Sequence, residues 1–284
     1  MMLLRTANQI LPAQETQDGA GVRLLRALGY QRRARLDPFL MLDAFSSDDP
    51  NDYIAGFPPH PHRGFETVTY IVDGHMRHRD HLGNEGDLRA GGVQWMVAGH
   101  GIIHEEMPQQ ENGLLRGFQI WINLPAAAKM QPARYRDIPA ALIPVHALDG
   151  GGFIKLIAGT LTLDGVTLVG PGQGGEATRP IIADIQIEGD GALDLPVLAG
   201  HQALLYVFEG ALSVGHQAVP AGNSVIYGEG DTLRIATRGG HVRVLLLAGR
   251  PLDEPIAQYG PFVMNTQQEI EQALADYRNG VLAV

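Results

Sequence analysis

Thr67-Val68-Thr69-Tyr70-Ile71-Val72 runs into Asp73-Gly74, and the run reads as a strand. Its β-branched and aromatic side chains suit a pleated, half-buried surface, and the Asp-Gly dipeptide that stops it is a hairpin signal. The second half of the chain echoes it. Leu205-Tyr206-Val207-Phe208-Glu209-Gly210 repeats the form of Thr69-Tyr70-Ile71-Val72-Asp73-Gly74. Pro220-Ala221-Gly222-Asn223-Ser224-Val225 then repeats Arg89-Ala90-Gly91-Gly92-Val93-Gln94. Each half reads as strand, acidic-Gly turn, strand, Ala-Gly turn, strand, so a duplicated β-barrel or β-sandwich unit is the economical reading.

Outward from these echoes, Val93-Gln94-Trp95-Met96-Val97 follows the Gly91-Gly92 turn as a strand. Phe118-Gln119-Ile120-Trp121-Ile122 alternates and ends before Pro125. From Leu124 to Ile143 the chain turns to alanine, proline and charge, which predicts a linker or interdomain crossing. The expected units are therefore 1–135 and 136–284. A helix is predicted over 267–278, inside the second unit. Thr266 and Glu269 form a capping box, Ile270, Ala273, Leu274 and Tyr277 make one apolar stripe, and Gly280 supplies the stop.

Composition narrows the function. The chain has 284 residues and a net charge of -10, so direct binding to nucleic-acid phosphates is electrostatically opposed. It has no cysteine, which removes disulfides, thiolate metal sites and cysteine nucleophiles together. The N-terminus lacks the pattern of a secretory signal, and no apolar stretch approaches the roughly 20 residues of a membrane helix. A soluble, cytoplasmic protein is expected, with no membrane contact.

Chemistry concentrates in two motifs. His60-Pro61-His62 places both imidazoles on one strand face, because side chains alternate with period two, and His104 and Glu106 repeat the arrangement. Converged, these residues would give a divalent ion three neutral imidazoles and one carboxylate, leaving positions open for substrate oxygen and for water or dioxygen. The absent thiolates weigh against a structural zinc site. Parity excludes Glu105 but leaves Glu66 and Glu106 both open as the carboxylate, since Glu66 shares the face of His62. His75, His78 and His81 lie in a charged segment and read as a solvated hairpin. His100 reads as a turn residue and His201 as structural. Arg63 reads equally as a group that orients or neutralises the site and as a surface salt bridge.

His60-Pro61-His62-Arg63-Gly64-Phe65-Glu66-Thr67-Val68 and Gly99-His100-Gly101-Ile102-Ile103-His104-Glu105-Glu106-Met107 resemble the signature stretches of the pirin family, within the cupin superfamily. Asp37-Pro38-Phe39-Leu40 and Gly260-Pro261-Phe262-Val263-Met264-Asn265-Thr266 resemble further family blocks near each end. The resemblance implies an all-β bicupin: two tandem cupin β-barrels with a C-terminal helix, and metal in the first barrel only. It implies His60, His62, His104 and Glu106 as ligands, with Glu66 kept as a neighbour of the site. Iron(II) is the favoured ion, with nickel, manganese, cobalt, copper or zinc satisfying the same donors. The sequence independently supports a metal-free second barrel. Carried back from the acidic-Gly turns, Pro196 and Leu198 fall opposite His60 and His62, and from the Ala-Gly turns Ile235 and Thr237 fall opposite His104 and Glu106.

Two functions follow from the resemblance. The first is a quercetin 2,3-dioxygenase-type enzyme that opens a flavonol ring with O2 and releases CO, with Glu106 as catalytic base. The second is a non-enzymatic, iron-binding regulator acting through a protein partner, as a transcriptional co-regulator or a modulator of a metabolic enzyme.

Overall fold

The computed structural model describes residues 2–29, 35–110, 112–172, 175–238 and 240–283. Two compact units emerge. One, here the histidine unit, holds Glu15–Arg26, Phe39–Ala140 and Leu252–Val284; the other, the aliphatic unit, holds Met1–Gln14, Ala27–Pro38 and Ala141–Pro251. This grouping differs at both chain ends from a split into 1–135 and 136–284. Strand pairing is the reason at the N-terminus, where Ala7–Pro12 lies antiparallel beside Asn223–Tyr227. The expected linker also contains structure, since Arg134–Ile138 is a strand paired with Val93–Val97.

Duplication is visible in the topology. The histidine unit has Arg134–Ile138, Val93–Val97, Phe65–Asp73, Leu115–Asn123 and Phe39–Ser47 as successive neighbours in one sheet. The aliphatic unit has Ala7–Pro12, Asn223–Tyr227, Gln202–Val214, Gly240–Gly249 and Ile181–Gly189 in the same sequence of places. A second sheet in the histidine unit runs Phe57–His62, Ile102–Pro108, His75–Asp80, Glu85–Arg89. In the aliphatic unit Ala192–Pro196 pairs with Thr232–Ala236 alone.

The Asp73-Gly74 turn is not a hairpin. Phe65–Asp73 pairs with Val93–Val97 and Leu115–Asn123, whereas His75–Asp80 lies in the other sheet. Gly74 at φ 101° redirects the chain from one sheet to the next, a backbone conformation that L side chains rarely adopt. At the echoed position the second half does something different again. Gln202–Val214 passes through Gly210 as one strand, with a register shift between Val207 and Glu209.

The two interiors differ in chemistry. Leu205, Val207, Leu233, Ile235, Val244 and Leu246 are fully buried in one aliphatic cluster, each contributing about 1.5–3 kcal/mol. The histidine unit instead buries Glu66, Thr67, Thr69, His78, Gln94, His104 and Glu106. Most of these groups are hydrogen-bonded to one another or to buried neighbours, so this interior is held by specific polar pairs as well as by apolar packing.

The predicted helix spans Gln267–Arg278 with its capping box formed: Glu269 N–H donates to Thr266 Oγ1 at 3.2 Å, and Thr266 N–H donates to Glu269 Oε2 at 2.8 Å. Ile270 and Ala273 are buried against Phe262, Met264 and Leu282. Tyr277 stays 43% exposed, so the stripe is narrower than its spacing suggests. Among the described residues no helix is long and apolar enough to cross a membrane.

Candidate metal centre

Phe57–His62 contains Pro58, Pro59 and Pro61 and is still a strand, because it lies at the end of its sheet order and needs to donate few ladder bonds. It pairs antiparallel with Ile102–Pro108, setting His104 opposite His60 and Ile102 opposite His62. Period-two alternation then brings three rings together. Centroids lie 4.7 Å apart for His60 and His62, 4.3 Å for His60 and His104, and 5.0 Å for His62 and His104. Each ring offers a nitrogen within 4.8 Å of the other two.

The electrostatics suit a cation. Burial, then the neighbouring His60, holds the His62 pKa well below the ordinary imidazole range, with the Pro261 carbonyl opposing. Burial also lowers His104, followed by His62, His60 and His78. Both rings are therefore neutral at pH 7, the form that ligates. In His60 and His104 one ring nitrogen is engaged in a way that leaves the other free to ligate, and His62 Nδ1 is buried without a hydrogen-bond partner. His60 Nδ1 lies 2.8 Å from the Pro58 carbonyl, leaving Nε2. His104 Nδ1 lies 3.3 Å from His78 Nδ1, and its Nε2 is buried without a hydrogen-bond partner. A buried, orphaned imidazole nitrogen beside two others is what an ion would satisfy, so the residues fit a metal.

Neither carboxylate joins the three nitrogens at that spacing. The ladder to Phe57–His62 slips between His104 and Glu106, with the extra residue on the proline-rich strand, while His104, Glu105 and Glu106 keep an unbroken register against His75–Asp80. Glu106 is buried, and its Oε1 accepts from Thr69 Oγ1 at 2.8 Å. Glu66 is buried beside Trp95, whose Nε1 donates to Oε2 at 3.3 Å. Burial pushes the Glu66 carboxyl up to about 7, against the Trp95 bond and the charge of Arg134.

His78 departs from the solvated-hairpin expectation: it is 1% exposed and touches His104. The signal was present in the alternation of Met76, His78 and Asp80 against Arg77 and Arg79, since the first set turns inward. His75 pairs with Asp87, and His81 is exposed, as a surface hairpin requires. Arg63 neither faces the site nor lies on the surface. It is 4% exposed, its Nη1 donates to Asp276 Oδ2 at 2.6 Å, and its Nε donates to the His100 carbonyl. His100 occupies its expected turn, and its backbone N–H donates to Gln131. Lys129, which motif reading passes over, is 1% exposed and donates to Gly64 O, Val263 O and Asn123 Oδ1.

Glycine is required where backbone approaches backbone. A Cβ on Gly101 would lie 2.0 Å from the Leu282 carbonyl, and one on Gly64 would lie 2.0 Å from that of Val263.

In the aliphatic unit the paired strands Ala192–Pro196 and Thr232–Ala236 carry no histidine. Asp194 and Arg234 sit opposite one another there, bridged at 2.6 Å. Ile235 belongs to the apolar core. His201 is buried and belongs to no metal-holding group among the described residues, and its carbonyl accepts from Arg5 Nη1 at 2.8 Å.

Comparison with known proteins agrees with this architecture. The family model Pirin matches residues 21–122, and the model Pirin C-terminal cupin domain matches residues 182–283. A Pseudomonas aeruginosa protein bearing the name "Putative quercetin 2,3-dioxygenase" is 50% identical over 100% of both chains. Human pirin is 34% identical, covering 94% of this chain and 90% of its own. A solved quercetin 2,3-dioxygenase from Acinetobacter baumannii superposes with a TM-score of 0.89 at 32% identity, covering 98% of each chain. A pirin from Escherichia coli solved in complex with nickel(II) has a TM-score of 0.62 at 20% identity, covering 87% of this chain and 97% of its own, a likeness of fold alone. With both family models matched and the histidine strands in register, the chain is an all-β member of the pirin family, built from tandem cupin domains.

Proposed function

We propose that this chain is a metal-dependent dioxygenase of the quercetin 2,3-dioxygenase type, in which His60, His62, His104 and Glu106 hold one divalent ion, iron(II) by preference. The observation that carries the reading is the convergence of three imidazole nitrogens within 4.8 Å, with His104 Nε2 buried and unpartnered. Such a donor set leaves open positions on an ion of octahedral preference. The name of the 32%-identical Acinetobacter structure supports the choice of chemistry.

The ion would supply Lewis acidity toward the flavonol 3-hydroxyl and a meeting place for it and O2. The chain's own residues do the rest. Glu106 accepts the 3-hydroxyl proton, while Thr69 Oγ1 holds that carboxylate in place at 2.8 Å. Phe65 and Trp121 pack edge-on against His62, with ring centroids 5.1 and 5.3 Å from it, and hold its ring in place. The net reaction consumes one flavonol and one O2 and gives a ring-opened ester and one CO.

The test is direct. Metal-loaded protein in air should bleach quercetin absorbance with release of CO; absence of turnover with every divalent ion that binds would remove the reading.

A further inference from the structure

We infer that His78 is a positioning residue for the metal centre: it fixes the tautomer of His104 as the middle link of a chain from Asp80 to the ion. This deepens the metal reading above and rests on it.

The positions of the ring protons are set by the contacts each nitrogen makes. His104 Nδ1 and His78 Nδ1 lie 3.3 Å apart, so in a hydrogen bond between them one nitrogen donates and the other accepts. If His104 Nε2 is to bind a metal it must be bare, and Nδ1 then carries the ring proton. His78 Nδ1 is therefore the acceptor, and its own proton sits on Nε2. That nitrogen lies 3.4 Å from Asp80 Oδ2, an acceptor. Each proton has one consistent place: Asp80 accepts from His78 Nε2–H, and His78 Nδ1 accepts from His104 Nδ1–H. The opposite assignment would put a proton on the buried His104 Nε2, which has no hydrogen-bond partner among the described residues.

Each link is held. The Asp80 side chain is fully buried, and Oδ1 accepts from Leu82 N–H and Asn84 N–H, both at 3.0 Å. Its Oδ2 accepts from Asn84 Nδ2 at 2.8 Å. With three donors fixed, that carboxylate cannot swing away from His78. The His78 ring is stacked on Tyr135 at 4.3 Å and 16° between planes, which fixes its rotation about χ2. Tyr135 is itself anchored, donating to Asp137 Oδ1 at 2.5 Å and accepting from Gln94 Nε2 at 3.1 Å. A carboxylate that orients a metal-binding histidine usually touches it directly. Here a second imidazole is interposed, and that explains why a histidine is buried among charged neighbours.

Two measurements decide it. In metal-free protein with 15N-labelled histidine, long-range 1H–15N correlation should show His104 protonated on Nδ1 and His78 on Nε2; the reverse assignment overturns the proposal and needs no variant. Nickel(II) affinity, measured by competition with a chromophoric chelator, should fall about 10–100-fold in His78→Phe, which keeps the stack on Tyr135. His78→Asn, whose amide oxygen can accept near the Nδ1 position, should recover most of that loss. Wild-type affinity in a folded His78→Phe protein would refute the positioning role while leaving the metal site standing. If the wild-type chain takes up no nickel(II), iron(II) or other divalent ion, the metal reading fails first and this one with it.

Discussion

Arg63 Nη1 lies 2.6 Å from Asp276 Oδ2, so the residue that follows the His60-Pro61-His62 pair is tied to the C-terminal helix. The guanidinium is 5% exposed and the carboxylate 19%. Its Nε also holds the His100 carbonyl in the turn that precedes the His104 strand. One side chain thus joins both histidine motifs to the last helix of the same unit. Removing one partner of a buried pair leaves an uncompensated charge, so Arg63→Ala should cost about 3–5 kcal/mol in chemical denaturation, and Asp276→Ala somewhat less. A loss below about 0.5 kcal/mol, the level of a surface ion pair, would contradict the structural role.

Gly64 makes a sharper test of the same region. At φ +90°, with a Cβ placed 2.0 Å from the Val263 carbonyl, it has neither conformational nor steric room for a methyl group. Gly64→Ala should lower stability by more than about 1 kcal/mol. An unchanged melting temperature would show that Val263 does not approach as described.

The pH dependence of metal-free protein should report Glu66. Its carboxyl is raised to about 7 by burial, above the ordinary 4.5. A raised folded-state pKa means the native chain binds more protons than the unfolded one between those values. Its contribution to stability is full below pH 4.5 and is lost as pH rises through about 7. Glu66→Gln keeps the neutral shape, so it should gain on the wild type by on the order of 3 kcal/mol above pH 7 and match it near pH 4. Parallel stability curves from pH 4 to 8 would contradict this.

Much of the fold and of the site was legible because both rest on short periods. The echo of strand and turn predicted duplication, and period two put His60 and His62 on one face. What escaped the sequence depends on distant partners. Asp73-Gly74 carries the same local signal whether it closes a hairpin or passes the chain between sheets, and only the neighbours of Phe65–Asp73 decide. The grouping of Met1–Gln14 with Ala141–Pro251 has no local signature, because it follows from pairing between Ala7–Pro12 and Asn223–Tyr227. His78 was readable in part. Alternation separates it from Arg77 and Arg79, but the charge around it hides its burial. The slip of the ladder lies in Phe57–His62, whereas His104, Glu105 and Glu106 keep an unbroken register with His75–Asp80 and alternate in burial, so parity excludes Glu105 and the choice between Glu66 and Glu106 rests on their chemistry.

That choice separates by substitution. Glu106→Gln should lower turnover of quercetin by at least about 100-fold, the scale of a lost general base, while Glu66→Gln keeps most of it. Retained turnover in Glu106→Gln with loss in Glu66→Gln would assign the base to the other carboxylate.

The most direct measurement is stoichiometric. Protein reconstituted with iron(II) without oxygen, then given quercetin and a known quantity of O2, should release one CO per flavonol consumed, and His60→Ala should release none. Loss of quercetin without CO, or no loss with any ion the three histidines bind, would contradict the account.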